Sequence, residues 1–163
     1  MISKIVATEN AQAALKGIMI GAYLDEIRAH SIQATLRFFS DQVCAGKRVT
    51  VDLVLTCEAR VISNNLSVGD GEEDFFSERA RFLSRAYGLI GKEIVDINLQ
   101  DNGALTIKTE TSSILLWLSS DDLGDDDWVW KVEHEEDTNL VTGGANPIYC
   151  MPEGDGVHFY FGG

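Results

Sequence analysis

Val49-Thr50-Val51-Asp52-Leu53-Val54-Leu55-Thr56-Cys57-Glu58-Ala59-Arg60-Val61 is the stretch on which the fold turns. Every odd position in it is apolar, and the even positions include Thr50, Asp52, Thr56, Glu58 and Arg60. Successive side chains of a strand point to opposite faces, so this alternation reads as a β-strand with one face on a core and one toward water. One-sided burial points to antiparallel pairing, because parallel sheets are covered on both faces. The run is long for one strand, and a bend is expected in it.

Upstream, Ile32, Ala34, Leu36 and Phe38 alternate with Gln33, Thr35 and Arg37, which predicts a second strand. Residues 18–24 read as a third, with 25–31 as the hairpin connection between them. A short helix is expected from Thr8, as its N-cap, to Lys16, with Gly17 ending it.

Downstream, residues 68–74 form a polar break, after which the period changes. Phe76, Ala80, Leu83 and Tyr87 recur at helical spacing, with Phe75, Phe82 and Ala86 on neighbouring rows. Asp74 suits the N-cap and Gly88 the stop, so a central amphipathic helix is predicted over 74–88. Val95, Ile97 and Leu99 then alternate with polar residues. Gln100-Asp101-Asn102-Gly103 contains an Asn-Gly pair, a strong hairpin signal, and 104–109 returns as the partner strand. Residues 114–118 are apolar on both faces and should lie centrally. Further strands are expected at 128–133, with Trp128, Trp130 and Val132 on one side, at 148–150, and at 157–161. The fold class expected is α+β: mostly antiparallel sheet, as two meanders or a half-barrel, with the central helix and a short N-terminal one. A single domain is expected, its two β-rich halves at about 1–68 and 89–163 joined by the helix.

Composition fits this reading. The chain has 163 residues, 45% hydrophobic and 24% charged, enough to bury a core without staples. No apolar stretch reaches the length of a membrane span, and the first residues lack the layout of a signal peptide, so a cytoplasmic location is expected. The three cysteines, Cys44, Cys57 and Cys150, are widely spaced and form no Cys-x-x-Cys pair, which argues against a disulfide framework or a structural zinc. Net charge is −13, unevenly spread. Residues 1–69 hold 7 Lys or Arg against 6 Asp or Glu, a net of +1; residues 70–163 hold 6 against 20, a net of −14. Such a surface repels nucleic acid and anionic membrane and attracts basic surfaces.

The motifs that carry catalysis are missing. There is no Gly-x-Ser-x-Gly elbow and no Gly-x4-Gly-Lys-Ser/Thr phosphate loop. Gly69-Asp70-Gly71 puts an acid where a phosphate cradle needs bare amides. His30, His134 and His158 have no partner at metal spacing, and His134-Glu135-Glu136 lacks the second His of a zinc-protease helix. Asp52 and Glu58 share a strand face about 20 Å apart, too far for a glycosidase pair. They read as solvated positions or cross-strand partners of Arg or Lys. No catalytic residue, cofactor or metal is therefore expected.

The acidic segments remain. Five carboxylates, Asp121, Asp122, Asp125, Asp126 and Asp127, fall in seven positions just before Trp128, and Glu133, Glu135, Glu136 and Asp137 follow. A second run is Asp70, Glu72, Glu73 and Asp74. Three readings compete: a calcium loop, whose fixed alternate ligands and final Glu are not matched here; a solvated loop without a task; and a recognition patch for a basic protein. The third is favoured, since mutual repulsion of the acids is relieved by a cationic partner and Trp128 supplies an aromatic anchor.

Leu89-x-Gly91-x-x-Ile94-x-x-Ile97-x-Leu99-x-Asp101-x-Gly103-x-Leu105-x-Ile107, followed by an apolar strand, an acidic loop and Trp128-x-Trp130, resembles a loose group of small bacterial immunity proteins, including those of contact-dependent growth inhibition. The likeness covers roughly residues 89–133. It implies a cytoplasmic, non-enzymatic protein that binds and neutralises a cognate toxin domain with a basic surface, often a nuclease, with no nucleic acid or membrane partner. The partner-binding residues are then the acidic segments above. The rival expectation is a β-barrel that binds a small ligand between its sheets.

Overall fold

The computed structural model describes residues 3–44, 47–63, 74–124, 127–134, 147–154 and 156–162. The chain runs β1 (Lys4–Val6), α1 (Thr8–Met19), β2 (Tyr23–His30), β3 (Gln33–Cys44), β4 (Lys47–Leu55), β5 (Glu58–Ser63), α2 (Phe75–Tyr87), β6 (Ile94–Leu99), β7 (Leu105–Thr109) and β8 (Ser112–Trp117). A 3-10 turn at Asp122–Gly124 follows, then β9 (Trp130–His134), β10 (Ile148–Glu153) and β11 (Gly156–Phe161). All strand pairs are antiparallel. They form a seven-stranded sheet, β1-β11-β10-β9-β4-β3-β2, and a four-stranded one, β5-β8-β7-β6. The fold is α+β, as expected. The two sheets stay open, so there is no closed barrel, and each draws strands from both sides of α2 in the sequence.

The alternating run at 49–61 is two strands in two sheets. β4 lies between β3 and β9 in the larger sheet, and β5 ends the smaller one beside β8. The chain crosses over at Thr56 and Cys57, where the Thr56 amide donates to the Val129 carbonyl at 3.0 Å. The alternation survives the crossing because both sheets face one core. Val49, Val51, Leu53, Leu55, Cys57, Ala59 and Val61 are all buried in it. Phe38, Phe82 and Trp130 fill its centre.

Four expectations upstream are corrected. α1 continues to Met19 with Gly17 inside it, because Ile18 and Met19 extend the buried stripe of Ala11 and Leu15 and their packing outweighs the helix cost of one glycine, about 1 kcal/mol. The strand expected over 18–24 is therefore helix to Met19, and strand only from Tyr23, where β2 begins. The N-cap is Ala7, and the Thr8 hydroxyl instead donates to Asp101 at 2.5 Å. Residues 25–31 are not a hairpin connection: β2 occupies them to His30, and the turn is Ser31-Ile32. This segment looked like a loop because β2 is an edge strand that exposes Asp25, Arg28, Ala29 and His30.

α2 has the predicted extent, but its buried face is the neighbouring row and not Phe76, Ala80, Leu83 and Tyr87. Asp74 caps it, accepting from the Ser77 amide at 2.9 Å, and Gly88 ends it. The buried row holds Arg79, Phe82 and Ala86, while Phe76 and Tyr87 face solvent. The Asn102-Gly103 hairpin joins β6 to β7, and β8 lies inside its sheet as expected. Gly103 has φ +86°, and a Cβ there would lie 2.9 Å from both the Cys150 sulfur and Leu118. Its carbonyl accepts from the buried Trp130 indole at 2.9 Å, so this turn ties the small sheet to the large one. β9 begins at Trp130, not Trp128, with Trp130, Val132 and His134 buried. No helix of the described residues is long and apolar enough to cross a membrane.

Candidate functional site

The acidic segment after β8 folds back on itself. Asp122 accepts from the Ser119 amide at 2.7 Å and from the Ser119 hydroxyl at 3.0 Å, which closes the 3-10 turn. This leaves Asp121 and Leu123 exposed at its tip, Leu123 by 53%. Asp127 is exposed and accepts from the Trp128 amide at 2.8 Å. Trp128 is half-buried beneath Lys131, whose ammonium lies 4.7 Å from the ring centroid.

The turn stands near the crossing between the sheets, and there it is joined by Glu58, read from the sequence as a solvated or cross-strand position, and by Glu78, which the sequence did not single out. Burial, then the charge of Asp122, raise the Glu58 carboxyl above its ordinary range; Arg79 offsets part of this, Glu78 on α2 adds to it, and Arg60 offsets a little more. Burial and then Asp122 likewise push the Cys57 thiol up to about 12. Glu58, Glu78 and Asp122 therefore form one acidic corner, contributed by β5, α2 and the 3-10 turn. Nothing in the spacing of residues 58, 78 and 122 announces this; only the strand crossing at Thr56 brings them together.

Two arginines border the corner, and both have other work. The buried Arg79 guanidinium donates to the Ile32 carbonyl at 2.9 Å and the Cys57 carbonyl at 2.8 Å, and lies over the Phe75 ring. Arg60 stacks on Trp117 and reaches Glu78 only at 3.6 Å. Among the described residues no Lys or Arg lies within ion-pair distance of Asp121, Asp122 or Asp127.

The other predicted residues fall elsewhere. Asp74 is exposed at the α2 N-cap, where the Ser77 hydrogen bonds hold its carboxyl below the ordinary range. Its helix is the one that delivers Glu78, one turn later. Glu133 belongs to a different set, on the outer face of the larger sheet, where it pairs with Lys131 at 2.7 Å and stands opposite Asp52. Asp52 in turn receives a two-pronged pair from Arg37 at 2.8 and 2.9 Å, the cross-strand partnership its position suggested. Asp70, Glu72, Glu73, Asp125, Asp126, Glu135, Glu136 and Asp137 lie outside the described residues. Among the described residues no three His, Cys, Asp or Glu side chains gather in a group that could hold a metal ion.

A carboxylate corner of this kind can receive an extended cationic side chain, and the exposed Leu123 beside it offers apolar contact. No protein-family model, no curated protein and no solved structure matches the chain.

Proposed function

We propose that this chain is an immunity protein, which binds and neutralises a cognate bacterial toxin domain through its acidic corner. The observation that carries the reading is an acidic turn without cations of its own: among the described residues no Lys or Arg lies within ion-pair distance of Asp121, Asp122 or Asp127, and beside it Arg79 and Arg60 only partly offset what burial and Asp122 do to Glu58. A basic surface brought against it removes that repulsion. The resemblance of residues 89–133 to immunity proteins supplies the class of partner, and a nuclease, with its cationic cleft, fits the sign of the charge. The role is non-enzymatic, and electrostatic steering speeds capture toward about 10⁸–10⁹ M⁻¹s⁻¹ at low salt.

The test is capture of partners from the lysate of the source cells at low and high salt. The bait is the native chain or an Asp121→Asn/Asp122→Asn/Asp127→Asn variant. Asn at position 122 can still accept from Ser119, so the turn keeps its shape. One basic, toxin-like protein should bind the native chain, more weakly at high salt, and should be lost from the variant. Equal binding to both baits excludes the corner as the site, and capture without any basic protein overturns the reading.

A further inference from the structure

Four strands end the two sheets, and the chain treats their free edges differently. At β5, Arg79 and Arg85 of α2 donate to the Cys57 and Val61 carbonyls at 2.8 and 3.4 Å. At β6, Gln12 of α1 accepts from the Leu99 amide at 2.8 Å, while Gly21 and Ala22 bond to Ile94. β1 has three residues and little edge to offer. Among the described residues, backbone partners cover β2 only at its start, where the Leu24 amide and carbonyl bond to Lys92 and Gly91 at 3.2 and 2.7 Å.

Past Leu24 the register slips by one residue against β3, and Glu26 faces Arg37. Leu24 directs its backbone groups away from β3. With the slip, Glu26 and Arg28 direct theirs toward β3, and Ile27 and Ala29 direct theirs outward. Among the described residues these outward groups have no backbone partner beyond β3. An uncovered edge is a template for another strand. Apolar surface accompanies it: Ala29 is exposed although it shares the inner face with the buried Leu36 and Ala34 side, and Ile32 in the adjoining turn is 52% exposed.

We propose that the occupant of this edge is a second copy of the chain, paired antiparallel along β2 about a two-fold axis through Ile27. Two-fold pairing keeps inner faces with inner faces, so the register can shift only in steps of two. Centred on Ile27, it sets Glu26 of one copy opposite Arg28 of the other, twice, with the two Ile27 residues facing each other. Centred one residue either way, it opposes Glu26 to Glu26 or Arg28 to Arg28, and like charges directly opposite are unfavourable. In a single copy Arg28 donates to the neighbouring Glu26 at 2.7 and 3.2 Å, so both side chains already lie on the outer face at the rim. Pairing joins two seven-stranded sheets into one and extends the line of charges from Asp52 through Arg37 and Glu26 to the other copy. The self-association is independent of the acidic corner, which lies on other elements.

Sedimentation equilibrium at several concentrations decides this. The native chain should rise from 17.9 kDa toward twice that mass. Arg28→Glu opposes acid to acid and should weaken association by about tenfold or more. Glu26→Lys/Arg28→Glu restores opposite charges in the same register and should recover it. A far-UV spectrum and melt of each variant separate loss of pairing from loss of fold. A native chain that stays at 17.9 kDa throughout overturns the proposal, as does association that Arg28→Glu leaves unchanged.

Discussion

On the outer face of the larger sheet, Glu26, Arg28, Arg37, Asp52, Lys131 and Glu133 form a balanced set: each acid has a cation within 2.7–2.8 Å. At the corner by β5 the match is poorer: Arg60 reaches Glu78 only at 3.6 Å, Arg79 and Arg60 offset the rise of Glu58 only in part, and Asp122 has no ion-pair partner among the described residues. The difference lies in what the guanidinium groups touch. On the sheet face Arg37 lies between two carboxylates; at the corner Arg79 and Arg85 satisfy the carbonyls of an edge strand.

Removing the backbone role of Arg79 should break this contrast most severely. Arg79→Ala leaves the Ile32 and Cys57 carbonyls without their donor in a buried place and should cost about 3 kcal/mol, read from urea unfolding. Arg79→Lys should recover less than half of the loss, because one ammonium does not reproduce the planar fork that reaches both carbonyls. Full recovery by lysine would mean that charge alone matters there.

The balanced face should respond less. Arg37→Ala removes a half-buried two-pronged pair with Asp52 and should cost about 1 kcal/mol, most of it absent when Asp52→Ala is already present. Additive losses would show that the two residues do not act as a pair.

The smallest effect concerns Glu58, and its sign distinguishes the two regions. A carboxyl held above its ordinary value near 4.5 favours its neutral form in the folded chain. Its stabilising contribution is complete below that ordinary value and is lost as pH rises through the raised one. Glu58→Gln stays neutral at every pH. It should be more stable than the native chain at pH 7 by a few tenths of a kcal/mol, after discounting for solvent screening. The gap should close below pH 4. By contrast Glu26 is lowered by its hydrogen bond from Arg28, so Glu26→Gln should lose stability at pH 7. Thermal melts across pH compare the two, and a Glu58→Gln variant that is less stable at pH 7 would remove the basis for an unmatched corner.

The sequence reading succeeded wherever one residue faced one environment. The buried face of the 49–61 alternation, though not its division between two sheets, the Asn102-Gly103 turn and the Asp74 and Gly88 helix limits are local, and each carries its own physical cause. It failed at β2, where an edge strand exposes enough charge to look like a loop, and at α1, where tertiary packing carried the helix through Gly17. The acidic corner was only partly visible. Asp122 stands in a conspicuous run, but Glu58 and Glu78 join it through a change of sheet that leaves the two-residue period unbroken.

The strand order also sets a timetable. β2, β3 and β4 are consecutive hairpins, and β6, β7 and β8 are another such set, so each can pair as soon as it is made. β4 must hold its second edge open until β9 arrives, after β5, α2 and three further strands. β1 waits longest, since Lys4 pairs with Phe161. At ordinary rates of synthesis that interval is on the order of ten seconds. For about half of that time, until β9 is made, the β4 edge, with Val51, Leu53 and Leu55 along it, is a nascent sheet border in search of its neighbour.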